Sequence, residues 1–337
     1  MIFNKLIAIS LALLLLSASC ITQQENTVNN NINNIPNKPN EPKIVIMKGV
    51  GIHIPQEDFI NMKKAGIDIL TTEWGMEEDI KKVEMFLDNA NDAGLKVVLD
   101  GGFSHTAWGF TDDDFDNLPK GKLPTWQKDR VQNWIKTFKD HPAVFGWDIC
   151  NEYGENLPSG VDAKNSQWPE TAITLSQLKQ ARNDVLQIDP DKPILIRTYE
   201  WESDEPPFGN HRPFEAGIAE IVMLNFYSNY LEHNKLQWPD VIEDVGSGCA
   251  KAIKEKDPHV KIWISVAAFE DKPSFQRPTV TSLTRDIREA LKISNVDGIG
   301  FFEWGPPIDD KHGWHLPETG PDLWEVIKQN IPTIKAK

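Results

Sequence analysis

The sequence predicts an α/β fold, a single (β/α)8 TIM barrel, on three observations. Eight short apolar runs alternate with helical patterns from residue 43 to the end of the chain. The runs are near-continuously apolar, as parallel strands covered on both faces are. Eight strand–helix units in about 295 residues give about 37 residues each, which suits a closed barrel of ~250 residues or more. Strict alternation implies a parallel sheet with right-handed crossovers. The first strand carries no GxGxxG at its end, which argues against an open dinucleotide-binding sheet.

The strands are expected at 44–52, 67–72, 96–100, 144–149, 193–198, 221–226, 260–266 and 298–302. Pro55 opens a helix at 56–65 and Gly66 closes it; a second helix at 77–93 is closed by Gly94. These are the start and stop cues set by a pre-formed φ and by tolerance of the left-handed region. Further helices fit 128–139, 175–187, 239–256, 283–291 and 322–329, with a weak one at 214–219. Nothing in the composition divides the stretch 43–337 into two domains.

Lys plus Arg number 35 against 50 Asp plus Glu, a net charge of −15. A nucleic-acid partner needs a basic face, so this balance argues against that class. Gly (21) and Pro (23) stand at ordinary levels, which excludes collagen-like and wholly disordered chains.

Residues 1–20 read as an export signal. Lys5 precedes an apolar run at 6–16, then Ser17-Ala18-Ser19-Cys20. The run is shorter than the ~20 residues a spanning helix needs. Small residues ending in Cys resemble a bacterial lipobox, although Leu16 sits one place further upstream than that pattern has it. The resemblance implies lipidation at Cys20 and a cell-envelope lipoprotein on the membrane surface. An ordinary signal peptide, and a secreted protein, is the alternative. Residues 21–42 hold eight Asn and three Pro with few large apolar side chains, and are expected to form a disordered tether. Beyond Cys20 only Cys150 and Cys249 remain, too few for a disulfide scaffold.

In a barrel of this kind chemistry sits at the C-terminal ends of the strands. The fourth strand reads Gly146-Trp147-Asp148-Ile149-Cys150-Asn151-Glu152. This Asn-Glu ending resembles the clan A glycoside hydrolases, the barrel superfamily of cellulases and β-mannanases. The resemblance implies Glu152 as general acid/base and Asn151 as a ligand of the sugar 2-hydroxyl. Other strand ends agree. Lys48-Gly49-Val50-Gly51 is similar to the Gly-Val-Asn opening of many relatives. Asn225-Phe226-Tyr227 stands where relatives show His-x-Tyr, which implies that Tyr227 hydrogen-bonds the nucleophilic carboxylate, with Asn225 in place of the His. His105 follows the third strand as a hydroxyl ligand or a solvated loop residue. Trp304 lies near the place of a sugar-stacking Trp.

The seventh strand departs from the pattern. Relatives place a nucleophilic Glu at its end, but Trp263-Ile264-Ser265-Val266-Ala267-Ala268-Phe269-Glu270 offers Val266 or Ala267 there. Glu270 is the nearest carboxylate; Glu303, on the eighth strand, is a second candidate, and Glu73 and Glu200 also end strands. Glycoside hydrolysis needs one carboxyl to protonate the leaving oxygen and a second on the opposite side of the anomeric carbon. About 5–5.5 Å between them gives retention and about 6.5–9.5 Å gives inversion.

Twelve Trp against four Tyr also fit a sugar groove. Trp74, Trp108, Trp126, Trp168, Trp201, Trp238, Trp304 and Trp314 fall at or after strand ends, and about half are expected to line a cleft by stacking on pyranose faces. Trp134, Trp263 and Trp324 are expected to pack the layers between helices and barrel. The acidic run at 112–116 reads as a solvated loop; it lacks the Gly and distal Glu of a calcium loop. The expectation is a monomeric glycosidase of a β-linked polysaccharide or oligosaccharide, with no organic cofactor and no metal. The alternative is a non-catalytic carbohydrate-binding surface lipoprotein on a degenerate barrel.

Overall fold

The computed structural model describes residues 43–337 apart from 73, 77, 101–125, 152–174, 200–213, 230–241, 243–245, 272–274, 306–315 and 318–319. The expected signal, Cys20 and the tether therefore lie outside the described residues. The barrel closes in chain order: β1 (Ile44–Lys48), β2 (Ile69–Thr71), β3 (Lys96–Asp100), β4 (Val144–Asn151), β5 (Ile194–Tyr199), β6 (Ile221–Phe226), β7 (Lys261–Ala267) and β8 (Gly298–Phe302). Every neighbouring pair is parallel, and β1 pairs with β8 from Ile44↔Gly298 to Lys48↔Phe302. The helices are α1 (Gln56–Ala65), α2 (Ile80–Ala93), α3 (Lys128–Phe138), α4 (Leu175–Leu186), α5 (Gly246–Lys256), α6 (Val280–Ala290) and α7 (Pro321–Lys335).

The ends of these elements follow local chemistry. Gly66 and Gly94 close α1 and α2 in the left-handed region, as expected of C-cap glycines. A reciprocal Thr279–Ser282 capping box starts α6 three residues earlier than the sequence pattern suggested. α7 runs through Pro332 to Lys335, beyond the 322–329 read from the sequence. The lost backbone bond there is outweighed by burial of Ile331 and Ile334 on either side. The weak helix at 214–219 is not formed. Phe214, Ile218 and Ala219 are buried in a turn that bends through Gly217 (φ 79°).

Strand alternation sorts the core into two layers. Val45, Met47, Leu70, Val97, Leu99, Val222, Leu224, Ile262, Ile264, Ile299 and Phe301 face outward and pack under the helices. Ile46, Ile69, Val98, Leu195, Met223 and Trp263 meet inside the barrel, with Phe145 stacked on Trp263 at 6.4 Å. Trp263 thus fills the barrel interior rather than the helix layer assigned to it from sequence. Its room comes from β8. A Cβ on Gly298 would lie 2.8 Å from the Trp263 Cδ1, so this register accepts only glycine. Trp134 and Trp324 do pack in the outer layer.

One step further along each strand the inward residues change character. Lys48, Thr71, Asp100, Asp148, Arg197, Asn225 and Ser265 continue the inward alternation, and all are at most 2% exposed. The barrel is apolar in its middle and polar and charged at its C-terminal mouth.

Candidate active site

The mouth is organised around Arg197. Its side chain leaves β5 and its Nη2 donates to the carbonyl of Thr72, just past β2, at 2.8 Å. On the way it meets the carboxylates of two intervening strands. Nε pairs with Asp148 Oδ2 on β4, and Nη2 lies 3.8 Å from Asp100 Oδ2 on β3. One guanidinium therefore joins four strand ends. A buried cation needs such partners, because desolvation otherwise drives it out of the interior. Asp148 uses its other oxygen locally: Oδ1 accepts from the Cys150 amide at 3.3 Å. That bond falls where the β4–β5 register slips between Asp148 and Cys150, and beyond the slip Asn151 is in register with Arg197. Burial pushes the Asp148 carboxyl up to about 6, against the opposing pull of Arg197, the Cys150 amide and Lys48.

The opposite wall is aromatic. Lys48, at the end of β1, donates from Nζ to the Tyr227 hydroxyl at 2.6 Å. Its ammonium stands 4.3 Å from the centre of the Phe302 ring and 5.3 Å from that of Tyr227. Tyr227 stacks on Phe302 at 5.7 Å, and Phe269 meets both rings edge-on. Phe275 adds a further edge. Asn229 fixes this wall by donating to the carbonyls of Phe269 (2.9 Å) and Gln276 (2.8 Å). Gly49 makes the wall fit against β1. At φ +70°, a Cβ there would come within 2.5 Å of Phe302 Cε2 and 2.9 Å of Glu303 Cβ.

The expected site residues fall into three groups. Glu152, His105, Glu73, Glu200, Trp108, Trp168, Trp201, Trp238 and Trp314 lie outside the described residues; of Asn151 the backbone is described, ending β4 on the rim. Tyr227, Asn225, Glu270 and Glu303 are at the mouth end of the barrel. Tyr227 and Asn225 are buried at the end of β6. Glu270 follows β7 by three residues and is 9% exposed, and half-buried Glu303 follows β8 directly, against Gly49. The third group is the described tryptophans. Trp74 is 7% exposed, donates to the Val50 carbonyl at 2.8 Å and packs edge-on against Phe86. Trp304 is 1% exposed, donates to Asp58 at 3.0 Å and packs edge-on against Trp324. Trp126 donates to Asp184 of α4 at 2.9 Å. As placed, Trp74 and Trp304 pack the walls and offer a sugar no open ring face.

The alternation also resolves the seventh strand. Val266 belongs to the outer layer, whereas Ala267 faces inward beside Tyr227, Phe269 and Phe302. The inward position at the end of β7 is therefore an alanine.

Lys48, Asp100, Asp148 and Arg197 were missed in the sequence. The signal was present: each is a charge set in a mostly apolar strand, in the parity of the interior, and such residues are rarely buried without a partner. Together they form a buried floor under the mouth, with ammonium, guanidinium, carboxylate, amide and phenol groups beside flat rings.

The architecture is that of a closed (β/α)8 barrel, and the comparison with solved structures bears on fold alone. A β-galactosidase from the psychrophilic Marinomonas ef1 is 12% identical at a TM-score of 0.60, over 87% of this chain and 59% of that one. An endocellulase from the archaeon Pyrococcus horikoshii is 13% identical at 0.58, over 88% and 92%. A β-galactosidase from the Antarctic haloarchaeon Halorubrum lacusprofundi is 12% identical at 0.57, over 86% and 58%. The chain thus spans less than two thirds of those β-galactosidases and nearly all of the endocellulase. No family model and no curated sequence matches the chain.

Proposed function

We propose that this protein is a glycoside hydrolase acting on a β-linked polysaccharide or oligosaccharide, with Glu152 as general acid/base. The observation that carries the reading is the end of β4: Asn151 closes that strand on the rim of a polar, charged mouth, and Glu152 is the next residue. The likeness of fold to a β-galactosidase and an endocellulase supports it.

In this reading Glu152 protonates the leaving oxygen, Asn151 and His105 hold sugar hydroxyls, and Tyr227, with Asn225 beneath it, hydrogen-bonds the second carboxylate. The second carboxylate is Glu270 or Glu303. β8 is opposite β4 in the closed strand order, and β7 is its neighbour. Either residue starts from the correct side to face the anomeric carbon across the mouth. Residues 1–20 direct export, and Cys20 carries a lipid that anchors the barrel to the cell envelope.

One observation favours a second reading, a carbohydrate-binding lipoprotein without turnover. The inward place at the end of β7 is Ala267, packed among aromatic rings. Purified protein tested on β-glucan, mannan, xylan and aryl β-glycosides, by product release and by calorimetric binding, separates the two. Release of product supports the hydrolase. Binding without product on every substrate supports the second reading, and neither binding nor product on any of them rejects both.

A further inference from the structure

We propose that Asp148 and Arg197 form a positioning pair that holds the end of β4 in its bulged register, and so sets the register in which this strand reaches the rim at Asn151. The inference rests on the reading that the end of β4 belongs to the active site. It concerns residues that touch no substrate.

The geometry separates a local part from a long-range part. The local part is Asp148 itself. Its Oδ1 accepts from the amide of Cys150 at the point where β4 slips against β5. A strand bulge disrupts the ladder locally, and a side-chain acceptor for an amide at the slip pins it in place. Ile149 and Cys150 both pack in the outer layer, so two successive residues face the same way there. Asn151 then falls into register with inward-facing Arg197. Without the slip, normal alternation would put Cys150 inward, and Asn151 would not fall opposite Arg197.

The long-range part is Arg197. The same guanidinium that pairs with Asp148 is anchored to the Thr72 carbonyl beyond β2 and lies near Asp100 of β3. Asp100 is held in turn through its amide, which donates to Thr72 Oγ1 at 2.9 Å. The bulge is therefore referenced to the far side of the mouth rather than to its own strand alone. All three charged side chains are at most 1% exposed, so water does not loosen the arrangement. A hydrophobic pair of similar volume would fill this space and is the commoner solution to packing a barrel interior. The register imposed on β4 is what the ionic version adds.

The test compares wild type, Asp148→Asn and the apolar double variant Asp148→Leu/Arg197→Met. It follows deuterium uptake at the amides of Cys150 and Asn151, thermal stability, and kcat and KM on whichever glycoside the panel identifies. Asp148→Asn keeps the shape and a local acceptor but loses the charge that Arg197 holds. Its uptake at the end of β4 is expected to rise about tenfold. Its kcat is expected to fall roughly 10- to 100-fold with KM changed less than about threefold, the pattern of a misaimed reacting group. In the double variant stability stays near the wild-type value, while fast exchange and low kcat persist. Wild-type kcat in the double variant would overturn the proposal, because the pair would then be packing alone. Unchanged exchange in Asp148→Asn would overturn it equally. If wild type turns over no glycoside, the functional reading fails, and the exchange arm still decides whether the pair holds the bulge.

Discussion

Replacing Gly49 by alanine should damage the mouth more than any ordinary loop glycine substitution. Two costs add at this position. The backbone sits at φ +70°, where a side chain costs about 1–2 kcal/mol. The new Cβ would also stand 2.5 Å from Phe302 Cε2 and 2.9 Å from both Phe302 Cδ2 and Glu303 Cβ. Phe302 cannot swing away freely, since it is stacked on Tyr227 and covered by the Lys48 ammonium. Forcing such an overlap costs about 1–3 kcal/mol more, for a total of roughly 2–5 kcal/mol. With an unfolding entropy of about 2.1 cal/mol/K per residue over about 295 residues, this lowers Tm by roughly 3–8 °C. Gly217→Ala is the control. It has a similar φ of +79° with nothing within 4 Å of the added Cβ, so only the backbone cost applies, roughly 2–3 °C. Differential scanning calorimetry of both variants measures the difference, and near-UV circular dichroism reports the Tyr227–Phe302 environment. Equal shifts in the two variants would refute the claim that β1 and the aromatic wall are in contact at Gly49.

Three further outcomes follow from the same geometry. Asp148 titrates at about 6 in the folded protein against an ordinary 3.8, so the folded state retains a proton that the unfolded chain has released. Stability should therefore fall as pH rises from about 4 to about 6, by on the order of 3 kcal/mol, and denaturant titrations of Asp148→Asn should lack that slope. Trp304→Phe removes the bond to Asp58 and keeps a ring against Trp324; it should cost roughly 1–3 kcal/mol of stability while changing oligosaccharide affinity less than about twofold, and a large loss of affinity at unchanged stability would mean that the indole contacts sugar. Cys20→Ser should move the protein from the membrane fraction to the soluble exported fraction, and identical partitioning of wild type and variant would remove the lipid anchor.

The order and type of the barrel elements were legible because each strand is a short apolar run bounded by turn or capping residues. What such runs conceal is direction. A strand buried on both faces gives no polar–apolar alternation, so Trp263 was assigned to the helix layer although it points into the barrel. The same blindness put the place of the missing nucleophile at Val266, or at Ala267 with a slip of one, whereas packing places Val266 outside and Ala267 inside. The polar floor was hidden for a related reason. Lys48, Asp100, Asp148 and Arg197 each stand in a different strand, and only the closed register brings them to one level. The tryptophans show the opposite error. Their positions after strand ends suggested open rings, but Trp74 and Trp304 found buried acceptors for their N–H groups and became wall residues.

The central claim is that Glu152 performs acid/base chemistry on a glycoside at this mouth. The most direct measurement is kcat/KM for wild type and Glu152→Gln on the best substrate of the panel, using both an unactivated oligosaccharide and an aryl glycoside with a good leaving group. The account predicts a loss of several orders of magnitude on the oligosaccharide and a much smaller loss on the aryl glycoside, because only a poor leaving group needs the proton. Equal activity of wild type and Glu152→Gln on the oligosaccharide would contradict it.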